Sequence, residues 1–387
     1  MVRCMTDDDG GRRAAAWLAA WDGQGIHRTA TAGDEAGVSW LLNEIAVLGA
    51  EATREAVPLD RLDPVRCHID TGGVRYDGVP VFDAPATGPE GIAGCLAEHG
   101  VGDGTIGVVP LPPSVVYTPA YCSIRADHRH RALVIVCQGA EPGLGLLNAE
   151  QFRAPYGCPA LHVTCATPDP ILAAAAAGRE ARFVAHGIRT PAAGTNVVVT
   201  LRGGDTARPP IVVMTPRSSW WQSTAERGGG LVCWLETLRA LLAEPPNRDV
   251  VLTANTGHEL GHLGLDEFIA ARPGWDQPGG ATWIHYGANI GAAGGELSIM
   301  SADEALRSLM QAALTRSGRP PDRMAPVTQV PSGETRDIHR AGGRYLTLVG
   351  SNRLFHLPQD RYPHAVDIPS IVRIAAGAAR MVVALSR

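Results

Sequence analysis

The chain has 387 residues and no lysine, because all 34 of its basic side chains are arginine. This absence excludes enzymes that form an imine on a lysine amine, and it excludes P-loop and protein-kinase sites, whose lysine binds phosphate. Arginine cannot act as the nucleophile instead, because its guanidinium stays protonated. A GC-rich genome is the simplest origin of this bias, so the absence limits the chemistry without identifying it.

Other absences narrow the class of protein. The formal net charge of −5 provides no basic surface for nucleic acid. No uninterrupted apolar run approaches the roughly 18 residues that a membrane span needs, and the apolar stretch at 14–21 is short for a secretory signal. The eight cysteines, Cys4 among them, form no Cys-x-x-Cys pair, which indicates reduced thiols. We expect a cytoplasmic protein, with a twin-arginine signal at Arg12-Arg13 as the alternative. Its expected partner is a small molecule or short peptide, with no nucleic acid and no membrane, and the oligomeric state stays open.

The order of the hydrophobic segments predicts an α/β fold. Helical periodicity occurs at 13–22 and 34–49. After residue 195, strands are predicted at 196–201, 211–214, 249–253, 282–284 and 345–349, and helices at 228–243, 258–272, 302–316 and 368–386. This alternation predicts a mostly parallel sheet sandwiched by helices. Residues 60–187 instead consist of short β-rich pieces between glycines and prolines, which predicts an inserted β-rich domain.

In such sheets ligands bind beyond the carboxyl ends of the strands, so the residues that follow the strands are the candidate site. They are Arg217, Trp220, Trp221, Glu226 and Arg227 after the second of these strands, His258, Glu259 and His262 after the third, His285 after the fourth, and His356 after the fifth. Imidazole and carboxylate groups at this density predict a metal or acid–base site.

His258-Glu-Leu-Gly-His262 matches the H-E-x-x-H pattern, in which zincins place two histidines one helical turn apart on a zinc ion. Here a predicted strand ends at 253, so the motif falls at the very start of a helix. No third histidine follows at 263–266. We therefore favour another interpretation over a zincin.

Collinear segments resemble the di-zinc aminopeptidase and glutaminyl cyclase superfamily. Residues 196–201, 224–230, 258–264 and 354–360 match its "NVV-x-L", "A-D-D-N-G-S-G", "E-E-x-G-L-x-G" and "Y-H-T-P-x-D" motifs, and 25–34 and 333–342 match its N-terminal and "S-D-H" motifs. The resemblance implies an aminopeptidase-like domain at 1–60 and 188–387. It also implies an inserted protease-associated-like domain at 61–187.

The resemblance implies five zinc ligands, and three of them are missing. The three positions carry Pro216, Ala225 and, near the third, Ala288, beside which a shift of register would offer Asn289. Glu259 and His356 are kept, and His258 replaces the glutamate that serves as general base. Two cations need a bridging carboxylate between them, and alanine has none, so we expect at most one ion.

The predicted site therefore holds one divalent ion, with zinc first and iron or copper as alternatives, or no ion at all. Its predicted ligands are His258, Glu259, His262, His285 and His356; the catalytic base would be His258, Glu259 or Glu226; and substrate would contact Arg217, Trp220, Trp221 and Arg227. The predicted function is hydrolysis of a small peptide, amide or amino-acid-derived substrate. The alternatives are metal-free: a pseudo-peptidase that binds a small anion through Arg217 and His258, or a biosynthetic tailoring enzyme.

Structural roles compete with these assignments. His262 and His285 are equally explained as hydrogen-bonded core histidines, and Arg217 as a surface arginine over packed tryptophans. His27 follows a predicted loop that approaches the cleft. The glycines at 228–230 are best explained by close helix packing.

Overall fold

The computed structural model describes residues 7–387, so Cys4 lies outside the described part. The described residues contain nine α-helices: α1 (Asp7–Asp22), α2 (Ala32–Val47), α3 (Pro119–Ala126), α4 (Pro170–Ala176), α5 (Gly229–Ala243), α6 (Leu263–Ala270), α7 (Glu304–Arg316), α8 (Thr335–Arg340) and α9 (Ile368–Ser386). They also contain thirteen strands: β1 (Thr53–Thr71), β2 (Val74–Pro80), β3 (Ile92–Glu98), β4 (Ile106–Leu111), β5 (Ala132–Cys137), β6 (Ala160–Val163), β7 (Glu180–Leu201), β8 (Ile211–Pro216), β9 (Val250–Asn255), β10 (Thr282–Tyr286), β11 (Leu297–Met300), β12 (Arg323–Met324) and β13 (Arg344–Gly350).

Four parallel strands form the centre of the main sheet, in the order β9, β8, β10 and β13. The C-terminal part of β7, residues 197–201, pairs antiparallel with β9 at one side, and β11 pairs antiparallel with β13 at the other. Along β8, Ile211 and Val213 pack with α1, α2, α5, α7 and α9, whereas Val212 and Met214 pack with α6 and α8. Because alternate residues of a strand point to opposite faces, this pattern buries both faces under helices. The predicted sandwiched α/β sheet is confirmed.

A second unit is built on the two longest strands, β1 and β7, which pair antiparallel over nearly their whole length. Strands β1, β2, β6, β5, β4, β3 and β7 are hydrogen-bonded in that order, and the pairing of β7 with β1 closes the ring. This ring has hydrophobic clusters of its own. That it is a protease-associated domain stays a prediction.

The last helix, α9, begins after Asp367, whose side chain accepts a hydrogen bond from the N–H of Ser370. Among the described helices it is the one that is long and apolar enough to cross a membrane by length and composition. Its apolar face packs against α5 and α7 in the main core.

Predicted and observed elements differ most at the H-E-x-x-H segment. The predicted helix at 258–272 is broken into a short 3₁₀ turn at His258–Leu260 and α6, which begins at Leu263. Between them His262 has a left-handed backbone with φ of 64°. The two histidines therefore do not share the face of one helix, as a zincin requires.

Candidate active site

A cavity of about 310 Å³ lies at the carboxyl ends of the parallel strands. Its lining includes His258 after β9, His285 on β10, Asn289 after β10, and His356 after β13. Asn148 from the β-rich unit completes one wall. This is the place where polar residues were predicted to gather.

His258 lines this cavity and has Glu334 behind it. The Nδ1 atom of His258 lies 3.6 Å from Oε1 of Glu334, and its backbone N–H donates to the hydroxyl of Ser218 at 3.2 Å. Burial, reinforced by the nearby Arg227, holds the pKa of His258 well below its usual value of 6.5. The ring is therefore neutral near pH 7. The contact with Glu334 is longer than a hydrogen bond, and its negative charge favours the tautomer with the hydrogen on Nδ1 and the lone pair on Nε2.

His285 is the second imidazole at the cavity. Both of its ring nitrogens are buried and, within residues 7–387, make no hydrogen bond. Burial lowers its pKa to about 4, so this ring is neutral too. A Cβ atom placed on Gly333 would lie 3.2 Å from Cε1 of His285 and 3.6 Å from Cε1 of His258. Glycine at 333 thus leaves the space into which the two rings converge.

His262 has a different environment. Its Nδ1 atom lies 2.6 Å from Oδ2 of Asp337, and its ring centroid lies 4.9 Å from that of His258. Burial opposes the imidazolium, but the hydrogen bond with Asp337 and nearby carboxylates outweigh burial and raise the pKa of His262. Two neighbouring histidines therefore have pKa values shifted in opposite directions.

Both carboxylate oxygens of Glu259 accept hydrogen bonds from the protein. Its Oε1 accepts from the N–H and the hydroxyl of Thr29 at 2.8 and 2.6 Å, and its Oε2 accepts from the hydroxyl of Ser218 at 2.6 Å. Burial raises the pKa of Glu259. Glu259 is not among the residues that line the cavity. This geometry favours a bracing role over the predicted ligand or catalytic role, because both oxygens are held by hydrogen bonds to the protein and the residue lies outside the cavity lining.

Glu226 and His356 face each other beside the cavity. His356 Nε2 lies 3.4 Å from Glu226 Oε1, and His356 Nδ1 donates to the carbonyl of Leu146 at 2.7 Å. Burial opposes the ionised form of Glu226, but the charge of Arg227, whose Nη2 lies 2.8 Å from Glu226 Oε1, and the interaction with His356 outweigh burial and lower the pKa of Glu226 to about 2. Burial and the charge of Glu226 raise the pKa of the neighbouring Asp360 to about 7.

Three of the four residues predicted to contact substrate, Arg217, Trp220 and Trp221, make structural contacts instead. Arg217 is fully buried, with Nη1 2.7 Å from Oδ1 of Asp34 and Nη2 donating to the carbonyl of Thr195 at 2.7 Å. Trp220 donates to Asn148 at 3.1 Å, and Trp221 donates to the carbonyl of His356 at 3.0 Å. None of the four residues predicted to contact substrate, Arg217, Trp220, Trp221 and Arg227, lines the cavity. The geometry supports packing and support of the cavity wall, not direct contact with substrate.

His27 is likewise in the core, stacked on Trp21 with ring centroids 3.6 Å apart, and burial lowers its pKa to about 3. The glycines at 228–230 allow close packing as predicted, since a Cβ on Gly229 would lie 1.8 Å from the carbonyl oxygen of Ile290.

The predicted metal ligands do not converge on one point. Across residues 7–387, no three imidazole or carboxylate donor atoms at the cavity lie within 4.8 Å of one another. Such a set occurs in the β-rich unit instead, at His99, Asp127 and His130. There His130 already accepts from the N–H of Gly100 and contacts the hydroxyl of Thr105, so its nitrogens are engaged.

Two residues that line the cavity, Asn289 and His356, have a left-handed backbone conformation. The described non-glycine residues with positive φ are Ala30, Ser223, His262, Asn289 and His356. Ala30 follows Thr29, the partner of Glu259, and the others lie on or beside the loops of the site. Such conformations are costly and persist where the surroundings hold them, often at functional sites.

Sequence reasoning missed Glu334, which is fully buried and has Oε1 without a hydrogen bond. Its other oxygen accepts from Asn255 at 3.1 Å. The sequence feature that could have identified Glu334 is its position next to Gly333, in the segment at 333–342 that matches the "S-D-H" motif.

No family model and no curated protein sequence matches the chain. Solved structures do resemble it. The zinc aminopeptidase BSAP from Bacillus subtilis is 15% identical with a TM-score of 0.77, over 96% of this chain and 94% of that chain. A peptidase M28 precursor from Shewanella amazonensis SB2B is 14% identical with a TM-score of 0.73, over 99% and 98% of the two chains. The aminopeptidase from Aneurinibacillus sp. strain AM-1 is 13% identical with a TM-score of 0.70, over 97% and 93%. The chain therefore has the aminopeptidase-like fold.

Proposed function

We propose that this protein is a hydrolase of small peptide, amide or amino-acid-derived substrates. In this proposal His258 is the general base, and the two-zinc centre implied by the family resemblance is absent. The observation that carries it is the arrangement at the cavity: a neutral imidazole with a carboxylate, that of Glu334, 3.6 Å from its Nδ1. A carboxylate in this position orients an imidazole and stabilises it once it has taken up a proton.

The residues do not fit a two-zinc centre. Pro216, Ala225 and Ala288 offer no ligand atom at three of the five positions, and both oxygens of Glu259 are bound to Thr29 and Ser218. Zinc therefore has no role in the proposed reaction, although the proteins of similar fold include zinc aminopeptidases.

The proposed reaction needs one water molecule and the substrate. Nε2 of His258 removes a proton from the water, whose oxygen attacks the carbonyl carbon of the amide. As the C–N bond breaks, the imidazolium returns that proton to the leaving nitrogen, which departs as the amine, and the carbonyl carbon becomes a carboxylic acid. Glu334 compensates the positive charge on His258 between the two proton transfers.

The cavity indicates the size of the substrate. About 310 Å³ accommodates a small acyl or aminoacyl group, and the cavity shares Ser332, Val349, Gly350 and Ser351 with a wider groove of about 860 Å³. A short peptide would place one residue in the cavity and the remainder in the groove.

The proposal is tested by assaying hydrolysis of a panel of aminoacyl-anilides, dipeptides and N-acyl amino acids. The proteins compared are the wild type, His258→Gln and the control His128→Gln, which changes an exposed histidine, each with and without a chelator. We expect turnover that the chelator leaves unchanged and that His258→Gln lowers by a factor of about 10² to 10⁴. Activity that the chelator abolishes and zinc restores would instead establish the metal-dependent hydrolase. A silent panel, with substrate-like ligands still bound in the cavity, would establish a binding protein.

A further inference from the structure

A buried guanidinium lies next to the candidate site. The side chain of Arg227 is completely buried, and its Nε donates to the carbonyl of Ser218 at 2.8 Å. Its Nη2 lies 2.8 Å from Oε1 of Glu226, yet in residues 7–387 neither Nη1 nor Nη2 makes a hydrogen bond of acceptable geometry. A buried cation of this kind requires a nearby negative charge, and Glu226 provides it.

The position of Arg227 is as informative as its burial. It lies on a π-helical turn at Thr224–Gly228 that leads into α5, in the segment that matches "A-D-D-N-G-S-G" with arginine in place of the asparagine. Glu226 on the same turn faces His356, the retained histidine of the five family positions, at 3.4 Å. Oε1 of Glu226 thus lies close both to an imidazole and to a fixed cation that belongs to the chain.

The charge of Arg227 extends to the cavity. It is among the causes that disfavour the protonated forms of His258 and His285, and it favours the ionised form of Glu226. A divalent ion bound between Glu226 and His356 would lie beside this guanidinium and would be repelled by it, in surroundings where burial weakens the screening by water.

We propose that Arg227 supplies, as a permanent part of the fold, the positive charge that a metal ion would otherwise supply between Glu226 and His356, and that it thereby excludes metal from this position. The proposal rests on the proposed function in one respect, since both describe a site that works without the two-zinc centre. It concerns metal binding itself, however, and its test needs no substrate.

The proposal is tested by measuring zinc binding to the wild type, Arg227→Asn and Arg227→Lys. Calorimetry gives the stoichiometry, and the shift in unfolding temperature gives the stabilisation. Removing the guanidinium leaves the buried carboxylate of Glu226 facing His356 without a counter-ion. We expect Arg227→Asn to bind about one equivalent of zinc and to be stabilised by it, because binding to the folded state raises stability. Wild type and Arg227→Lys, which keep the charge, should show neither effect.

Two further variants make the result specific. Arg217→Asn removes another fully buried guanidinium, that of the pair with Asp34 away from the cavity, and should gain no zinc. In Arg227→Asn, the added change His356→Ala should abolish the gain. If Arg227→Asn folds only when zinc is present, this zinc-dependent folding also supports the proposal, because it shows that the folded variant binds zinc.

Two results would overturn the inference. One is stoichiometric zinc in the wild type that Glu226→Gln or His356→Ala removes. The other is an Arg227→Asn variant that neither binds zinc nor is stabilised by it. A silent substrate panel, by contrast, would refute the proposed hydrolysis and leave the zinc measurements as they stand.

Discussion

Glu259 is the residue for which the sequence and the structure give the most different roles, and changing it separates them. As a metal ligand it would be needed for chemistry, whereas as a brace it holds the loop of Thr29 and the turn after β8 to the start of the 3₁₀ turn. Its carboxylate accepts three hydrogen bonds inside the protein. Glu259→Ala leaves these three donors buried without an acceptor, at about 1–3 kcal/mol each. The expected loss of about 3–9 kcal/mol is a large part of a normal folding free energy.

Glu259→Gln is the more informative change. The amide oxygen can keep both bonds from Thr29, while the amide NH₂ group replaces the acceptor for Ser218, so we expect a loss of about 1–2 kcal/mol. Urea unfolding followed by tryptophan fluorescence measures it, with the exposed Glu35→Gln as control, whose expected change is within about 0.5 kcal/mol. Wild-type stability in Glu259→Gln, combined with loss of bound metal or of turnover, would refute the bracing role.

Three further predictions follow from the same contacts. Arg217→Met leaves Asp34 buried without its partner and should lower the free energy of unfolding by about 3–5 kcal/mol. Unchanged stability with a raised KM would instead support the predicted contact of Arg217 with substrate. The hydrogen bond with Asp337 raises the pKa of His262. While Asp337 is ionised, the pair contributes its full stability below pH 6.5 and loses it as the pH rises through the folded-state pKa of His262. Asp337→Asn should therefore cost more stability at pH 5.5 than at pH 9, and an equal cost at both would contradict the pairing. Gly229→Ala should yield little folded protein, because the added Cβ would lie 1.8 Å from the carbonyl of Ile290, while Gly204→Ala, with open space around it, should express normally.

The fold was predictable because hydrophobic periodicity records burial directly. The runs at 211–214 and 282–284 are apolar on both faces, as strands covered by two layers of helices must be, and both were found in the parallel sheet. The break at 258–262 was not predictable from periodicity. His258-Glu-Leu-Gly-His262 reads as a helix, but Gly257, Gly261 and His262 all adopt positive φ, which a hydrophobic pattern does not record.

The cavity lies where the sequence predicts the candidate site, but the contacts of its residues were not predictable. Residues after β9, β10 and β13 meet at the cavity because of topology alone. Which atoms remain available depends on partners distant in sequence, such as Thr29 for Glu259, Asp34 for Arg217 and Glu334 for His258. A motif names the side chains of a site, but it does not show which of their hydrogen bonds are already made.

Anomalous diffraction at the zinc edge, from crystals of the wild-type protein grown with zinc, shows whether the cavity binds metal. We expect the guanidinium of Arg227 between Ser218 and Glu226, His258 next to Glu334, and no zinc peak at the cavity. A full-occupancy zinc peak bound by His356, His258 or His285 would contradict the metal-free site and would establish the metal-dependent hydrolase.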